Sequence, residues 1–71
     1  MGKKIWLGSK PIHCDICHGD ITNEFIDGCT TYGPWANMCP SCHKDVGRGL
    51  GTGRGQKYRL NSDGEFEKVE G

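Results

Sequence analysis

Cys14-Asp15-Ile16-Cys17 and Cys39-Pro40-Ser41-Cys42 are two Cys-x-x-Cys steps separated by 21 residues. A Cys-x-x-Cys step folded as a tight knuckle points both sulfurs at one ion. Two such steps complete the tetrahedral thiolate shell that structural zinc prefers, at about 2.3 Å per sulfur. The separation slightly exceeds the usual range of roughly 15 to 20 residues, which only lengthens the intervening loop. One structural Zn2+ on Cys14, Cys17, Cys39 and Cys42 is therefore expected. All four positions are filled by protein, leaving none open for a reacting water.

The size of the chain makes such a staple necessary. With 71 residues it forms one domain and buries only about 60 % of the surface that the unfolded chain exposes. Its large apolar residues, among them Ile5, Ile16, Phe25, Ile26, Met38, Val46, Leu50 and Phe66, are few and scattered. In small zinc domains the metal's apparent binding free energy, about 10–16 kcal/mol, is folding free energy, so the metal-free chain is expected to be largely unfolded. Disulfides are the alternative staple, but the five cysteines are odd in number. No apolar signal stretch routes the chain to an oxidising compartment. No run approaches a membrane span. A cytoplasmic protein that does not engage membranes is expected.

Outward from the cysteines, residues 1–13 form an N-terminal arm with a short strand over 3–7, ended by Lys10-Pro11. Residues 14–46 form the zinc module. Gly19, two residues after Cys17, supplies the backbone freedom of the first knuckle. Residues 21–31 read as extended chain with a break at Asp27-Gly28, and Tyr32-Gly33-Pro34-Trp35 is a turn. Trp35 to Met38 returns as a second hairpin arm and delivers Cys39 to the metal. Pro40 suits the first turn of a helix and Gly47 its end, which predicts a short helix after the second pair.

The expected fold is a small metal-stabilised α+β module. Knuckle, hairpin and ligand-bearing helix in that order make a treble clef; two knuckles on two hairpins would make a zinc ribbon. The missing glycine after the second pair favours the treble clef. Residues 47–56 form a glycine-rich loop and residues 57–71 a C-terminal β-hairpin turning at Asn61-Ser62-Asp63-Gly64. Glu65 and Glu67 are placed to pair with Arg59 and Lys57 across that hairpin.

The formal net charge is zero, yet it is segregated. Residues 44–59 carry Lys44, Arg48, Arg54, Lys57 and Arg59 against Asp45, whereas residues 14–43 carry acids and no Lys or Arg. The glycine tract matches no phosphate-loop pattern. It serves either as a loop that approaches another chain closely or as a flexible linker. In the first reading Arg48, Arg54, Lys57 and Arg59 contact nucleic-acid phosphates, with Tyr58 or Trp35 available for stacking. In the competing reading, motivated by the zero net charge and by acidic blocks that would repel phosphate, the module docks on a protein partner; an exposed apolar or acidic groove around Phe25, Ile26 and Tyr32 would favour it. Trp35 is otherwise a core residue.

Both cysteine pairs are followed by histidine, so each also spells the Cys-x-x-Cys-His string of covalent haem attachment. A two-haem miniature cytochrome is the remote alternative; the absent export signal and the short chain oppose it. His18 and His43 otherwise face solvent or donate hydrogen bonds to thiolates. Cys29 has no partner at knuckle spacing and no neighbouring base. It reads as an ordinary strand residue, and no enzyme is expected.

Phe25-Ile26-Asp27-Gly28, Gly33-Pro34-Trp35-Ala36-Asn37-Met38-Cys39-Pro40-Ser41-Cys42-His43 and Gly49-Leu50-Gly51-Thr52-Gly53-Arg54-Gly55-Gln56-Lys57-Tyr58 together resemble a group of small zinc-ribbon-like proteins common in phage and prophage genomes. The resemblance covers about residues 14–60. It implies zinc on Cys14, Cys17, Cys39 and Cys42 and a non-ligand role for Cys29, and implies little about activity.

Overall fold

The computed structural model describes residues 4–71. Among them, four strands and one short helix follow in the order β1 (Glu24–Cys29), β2 (Trp35–Met38), α1 (Pro40–Val46), β3 (Gly55–Leu60) and β4 (Phe66–Glu70). The strands make one antiparallel sheet in the spatial order β2-β1-β3-β4. The expected hairpin over 21–38, the helix after the second cysteine pair and the C-terminal hairpin are all present. Lys3, the first residue of the expected N-terminal strand, lies outside the described residues.

The β1–β2 turn is closed by Thr30, whose Oγ1 donates to the Pro34 carbonyl at 2.9 Å, and by Gly33 at φ +108°. The β3–β4 turn is closed by Asn61, whose Oδ1 accepts from the Asp63 and Glu65 amides at 2.9 and 3.0 Å. Both turns follow from local chemistry: a short polar side chain mimics the backbone, and glycine takes the left-handed position.

The expected break at Asp27-Gly28 does not occur. Asp27 is opposite Asn37 on one side and Gln56 on the other, so two ladders hold the chain extended where the dipeptide alone would turn. Gly28 has a packing role there. A Cβ on it would meet the Arg54 carbonyl oxygen at 2.7 Å and the Gly55 Cα at 3.0 Å.

The C-terminal hairpin is built into the cysteine-bearing unit, because β3 starts at Gly55 and pairs with β1 along Glu24–Gly28. Both basic residues of β3 also reach across to β1. Lys57 Nζ and Arg59 Nε both reach the Glu24 carboxylate on β1, at 3.7 and 3.3 Å. The N-terminal arm then covers the outer side of β4: the Trp6 amide donates to the Phe66 carbonyl, the Lys68 amide donates to the Lys4 carbonyl, and Lys10 Nζ donates to the Gly64 carbonyl.

Alternation along the strands sends side chains to two small cores, one on each face of the sheet. On one face Phe25 stacks on Tyr58 (ring centroids 5.2 Å, interplanar angle 9°), and Trp6 and Phe66 meet Phe25 edge-on at 5.1 and 4.9 Å. On the other, buried Ile26, Met38 and Cys14 are packed by Ile16, Ala36, Val46 and Leu50. Trp35, expected in the core, is 49 % exposed at the start of β2. Trp6 from the arm fills the aromatic face in its place.

Gly28→Ala is expected to destabilise the fold by about 1–3 kcal/mol through backbone overpacking, read as a lower denaturation midpoint; an unchanged midpoint would mean that the β1–β3 contact is looser than described. Burial raises the Asp27 carboxyl above its usual range, and burial together with the Asp27 charge raises the Tyr58 phenol. Because the folded pKa of Asp27 lies above the unfolded one, its ionised form opposes folding, fully so above the folded pKa. Asp27→Asn should therefore raise the thermal midpoint at neutral pH, by an amount that shrinks as the pH falls through that pKa. A lower midpoint at neutral pH would instead reveal a stabilising partner for the carboxylate.

Candidate metal centre

The first cysteine pair sits in a miniature hairpin. His13 bridges Asp20, the Ile21 amide donates to the Ile12 carbonyl, and the Cys14 amide donates to the Gly19 carbonyl at 2.8 Å. Within it the Ile16 amide points at Cys14 Sγ and the Gly19 amide at Cys17 Sγ, each at 3.4 Å. Such amide-to-sulfur bonds favour thiolates. The left-handed residue of this knuckle is His18, at φ +63°, and not Gly19 as expected. Gly19 is needed for proximity, since a Cβ there would stand 3.3 Å from Cys17 Sγ.

The second pair opens α1. Cys39 is the N-cap, Pro40 occupies the first turn without losing a needed N–H, and Cys42 lies in the same turn. Asp15 joins the two halves. Its amide donates to the Asn37 carbonyl and its carboxylate accepts from the Asn37 amide, both at 2.9 Å, which ties the knuckle to β2 just before Cys39.

The four Sγ atoms of Cys14, Cys17, Cys39 and Cys42 lie within 4.8 Å of one another, with Cys17 and Cys39 sulfurs 3.9 Å apart. A regular tetrahedron with metal–sulfur bonds of 2.3 Å has edges of about 3.8 Å, so this set fits one tetrahedral ion. Cys14 is fully buried, Cys39 and Cys42 are half-buried, and Cys17 is exposed.

Electrostatics point the same way. Burial pushes the Cys14 thiol up, but hydrogen bonds from the Cys17, Cys39 and Ile16 amides and from the Cys42 thiol outweigh it and bring the pKa down to about 6. Burial, the neighbouring thiols and the Cys14 charge drive the Cys42 thiol well above its usual range. The protein alone thus accommodates one thiolate readily and resists the next. A divalent cation would supply the charge that lets all four ionise.

The remaining chemistry-bearing residues are placed elsewhere. His43 Nε2 lies 3.0 Å from the Gly49 carbonyl oxygen and its ring packs over Gly47, so it anchors the glycine tract instead of serving the thiolates. That tract is hydrogen-bonded, not a free linker: Gly51 bridges Gly55, and the Cys29 amide donates to the Arg54 carbonyl at 2.9 Å. Cys29 is a strand residue opposite Trp35.

Of the four basic residues expected to act together, Arg48 and Arg54 are exposed at the helix-terminal end of the sheet, while Lys57 and Arg59 are held by Glu24 toward the other end. Tyr58 is occupied in the aromatic stack. Of the three residues around which a docking groove would favour a protein partner, Phe25 and Ile26 are buried, 0 % and 2 % exposed, whereas Tyr32 is 72 % exposed. Beside Cys39 an open groove of about 570 Å³ is lined in part by Asp20, Asn23, Glu24 and Arg59; its last two charges neutralise each other.

Asp15, Glu24 and the anchoring role of His43 escape sequence reasoning. Only the proximity of Asp15 to the first pair hinted at its role; Glu24 acts across 33 and 35 residues of chain and leaves no local signal. No protein-family model, no curated protein and no solved structure matches the chain, so the geometry of the centre carries its chemical assignment. Among the described residues no helix is long and apolar enough to cross a membrane.

His18→Gly should relieve the left-handed strain, worth about 1–2 kcal/mol for a non-glycine residue, less the roughly 0.5–1 kcal/mol entropic cost of glycine. A rise in stability of roughly 0.5–1 kcal/mol is expected from equilibrium unfolding. A fall would assign the imidazole a stabilising contact at the centre.

Proposed function

We propose that this protein is a treble-clef module held together by one structural Zn2+ on Cys14, Cys17, Cys39 and Cys42, acting as a non-catalytic accessory that binds nucleic acid. The observation that carries the metal assignment is the convergence of four thiols, drawn from two Cys-x-x-Cys steps, within 4.8 Å. The chain order of knuckle, β1–β2 hairpin and ligand-bearing α1 supports the treble clef over the zinc ribbon. Four protein ligands would leave the ion closed to substrate, which makes its contribution structural. The convergence also speaks against two haem groups, whose covalent attachment would need the two cysteine pairs well apart. The likeness to small phage zinc-ribbon-like proteins belongs to the same proposal.

Nucleic-acid binding is supported by Arg48 and Arg54, both exposed and, among the described residues, paired with no carboxylate. Guanidinium groups flanked by glycine backbone suit phosphate contact. A protein partner remains the competing reading, motivated by the zero net charge and the acidic blocks, with Phe25 and Ile26 buried and Tyr32 exposed.

Native mass spectrometry of protein purified without added metal should show one zinc per chain in a colourless sample. Chelation should abolish cooperative unfolding, because the ion's binding free energy is folding free energy. Cys14→Ser should lose the zinc. A folded metal-free chain, or a haem absorption band, would overturn the assignment.

A further inference from the structure

The fold divides the exposed aromatic and basic residues between two ends of the sheet. Toward the Leu60 end, Lys57 and Arg59 share the Glu24 carboxylate, and Trp6, Phe25, Tyr58 and Phe66 are spent on one another. At the opposite end, β1 finishes at Cys29, β2 starts at Trp35 and β3 starts at Gly55. The end of α1 joins them: Thr30 bridges Gly47, and the Thr31 amide donates to the Val46 carbonyl at 2.8 Å.

Trp35 stands opposite Cys29 on one side, and on the other the Cys29 amide and thiol hold the Arg54 and Gly53 carbonyls. Trp35 and Arg54 therefore flank the same residue of β1, two strand spacings or about 10 Å apart across the sheet. Tyr32, at the tip of the same hairpin, is 72 % exposed, and Trp35 is 49 % exposed. Arg48 and Lys44 are exposed at the adjoining end of α1, against the single acid Asp45.

Resting on the nucleic-acid reading above, we infer that this end of the sheet is a stacking platform for single-stranded nucleic acid. Trp35 and Tyr32 take unstacked bases, and Arg54 and Arg48 take the flanking phosphates. Aromatic faces next to unpaired guanidinium groups match the two parts of a single strand, an open base and its backbone. A duplex offers the same phosphates but keeps its bases stacked away from such rings. The glycines of the 49–55 tract leave the backbone bare beside Arg54: a Cβ at Gly49, Gly51 or Gly53 would meet nothing within 4 Å.

The test is fluorescence anisotropy of labelled oligothymidine, oligouridine and a duplex of equal length, at low salt, on zinc-loaded protein. Single strands of either sugar should bind more tightly than the duplex. Trp35→Ala should weaken single-strand binding about tenfold, with zinc content and circular dichroism unchanged, and Trp35→Phe should retain most of it. Arg54→Ala should lower the slope of log affinity against log salt by about 1. If duplex and single strands bind equally and Trp35→Ala changes nothing, nucleic-acid binding stands and the stacking platform falls. If no nucleic acid binds even at low salt, both fall, and the exposed Tyr32 and Trp35 point to a protein partner.

Discussion

Four sulfur atoms within 4.8 Å of one another cannot all carry charge without a cation among them. The rest of this fold depends on that constraint. The knuckle, the end of β2 and the first turn of α1 each bring one or two sulfurs to the same point, and the apolar side chains near it are too few to hold three such segments together. Ile26, Met38 and Cys14 are the buried members of that cluster. A closed thiolate site would replace the missing hydrophobic mass with metal–ligand bonds.

The sheet uses its two faces for different purposes. One carries the cysteine centre and α1; the other carries an aromatic cluster closed by Trp6 from the N-terminal arm. Neither is large enough to stand alone, and β1 links them, since Phe25 and Ile26 are adjacent in sequence and point to opposite sides. The edges of the sheet are guarded as well. The arm pairs along β4, and Asp15 takes the Asn37 backbone groups on β2, which limits strand addition by other chains.

Charge placement completes the division of labour. Glu24, on the strand between β2 and β3, draws Lys57 and Arg59 together. Exposed pairs of this kind contribute only about 0–1 kcal/mol, so their larger effect is on where uncompensated positive charge remains. Among the described residues Arg48 and Arg54, at the end of the sheet where Trp35 and Tyr32 lie, have no such carboxylate partner.

Much of this was legible from residue order, because the signals were local. The doubled Cys-x-x-Cys spacing located the four-cysteine cluster, Pro40 and Gly47 bounded α1, and Gly33-Pro34 and Asn61–Gly64 located the turns through their own backbone chemistry. Three features had no local signature: the pairing of β3 with β1, the capture of Lys57 and Arg59 by Glu24, and the packing of the glycine tract against Gly28. Each joins residues distant in the chain. Alternation along a strand says that two faces differ but not which strand lies beside it, so these outcomes were settled by the ladders that the assembled sheet forms.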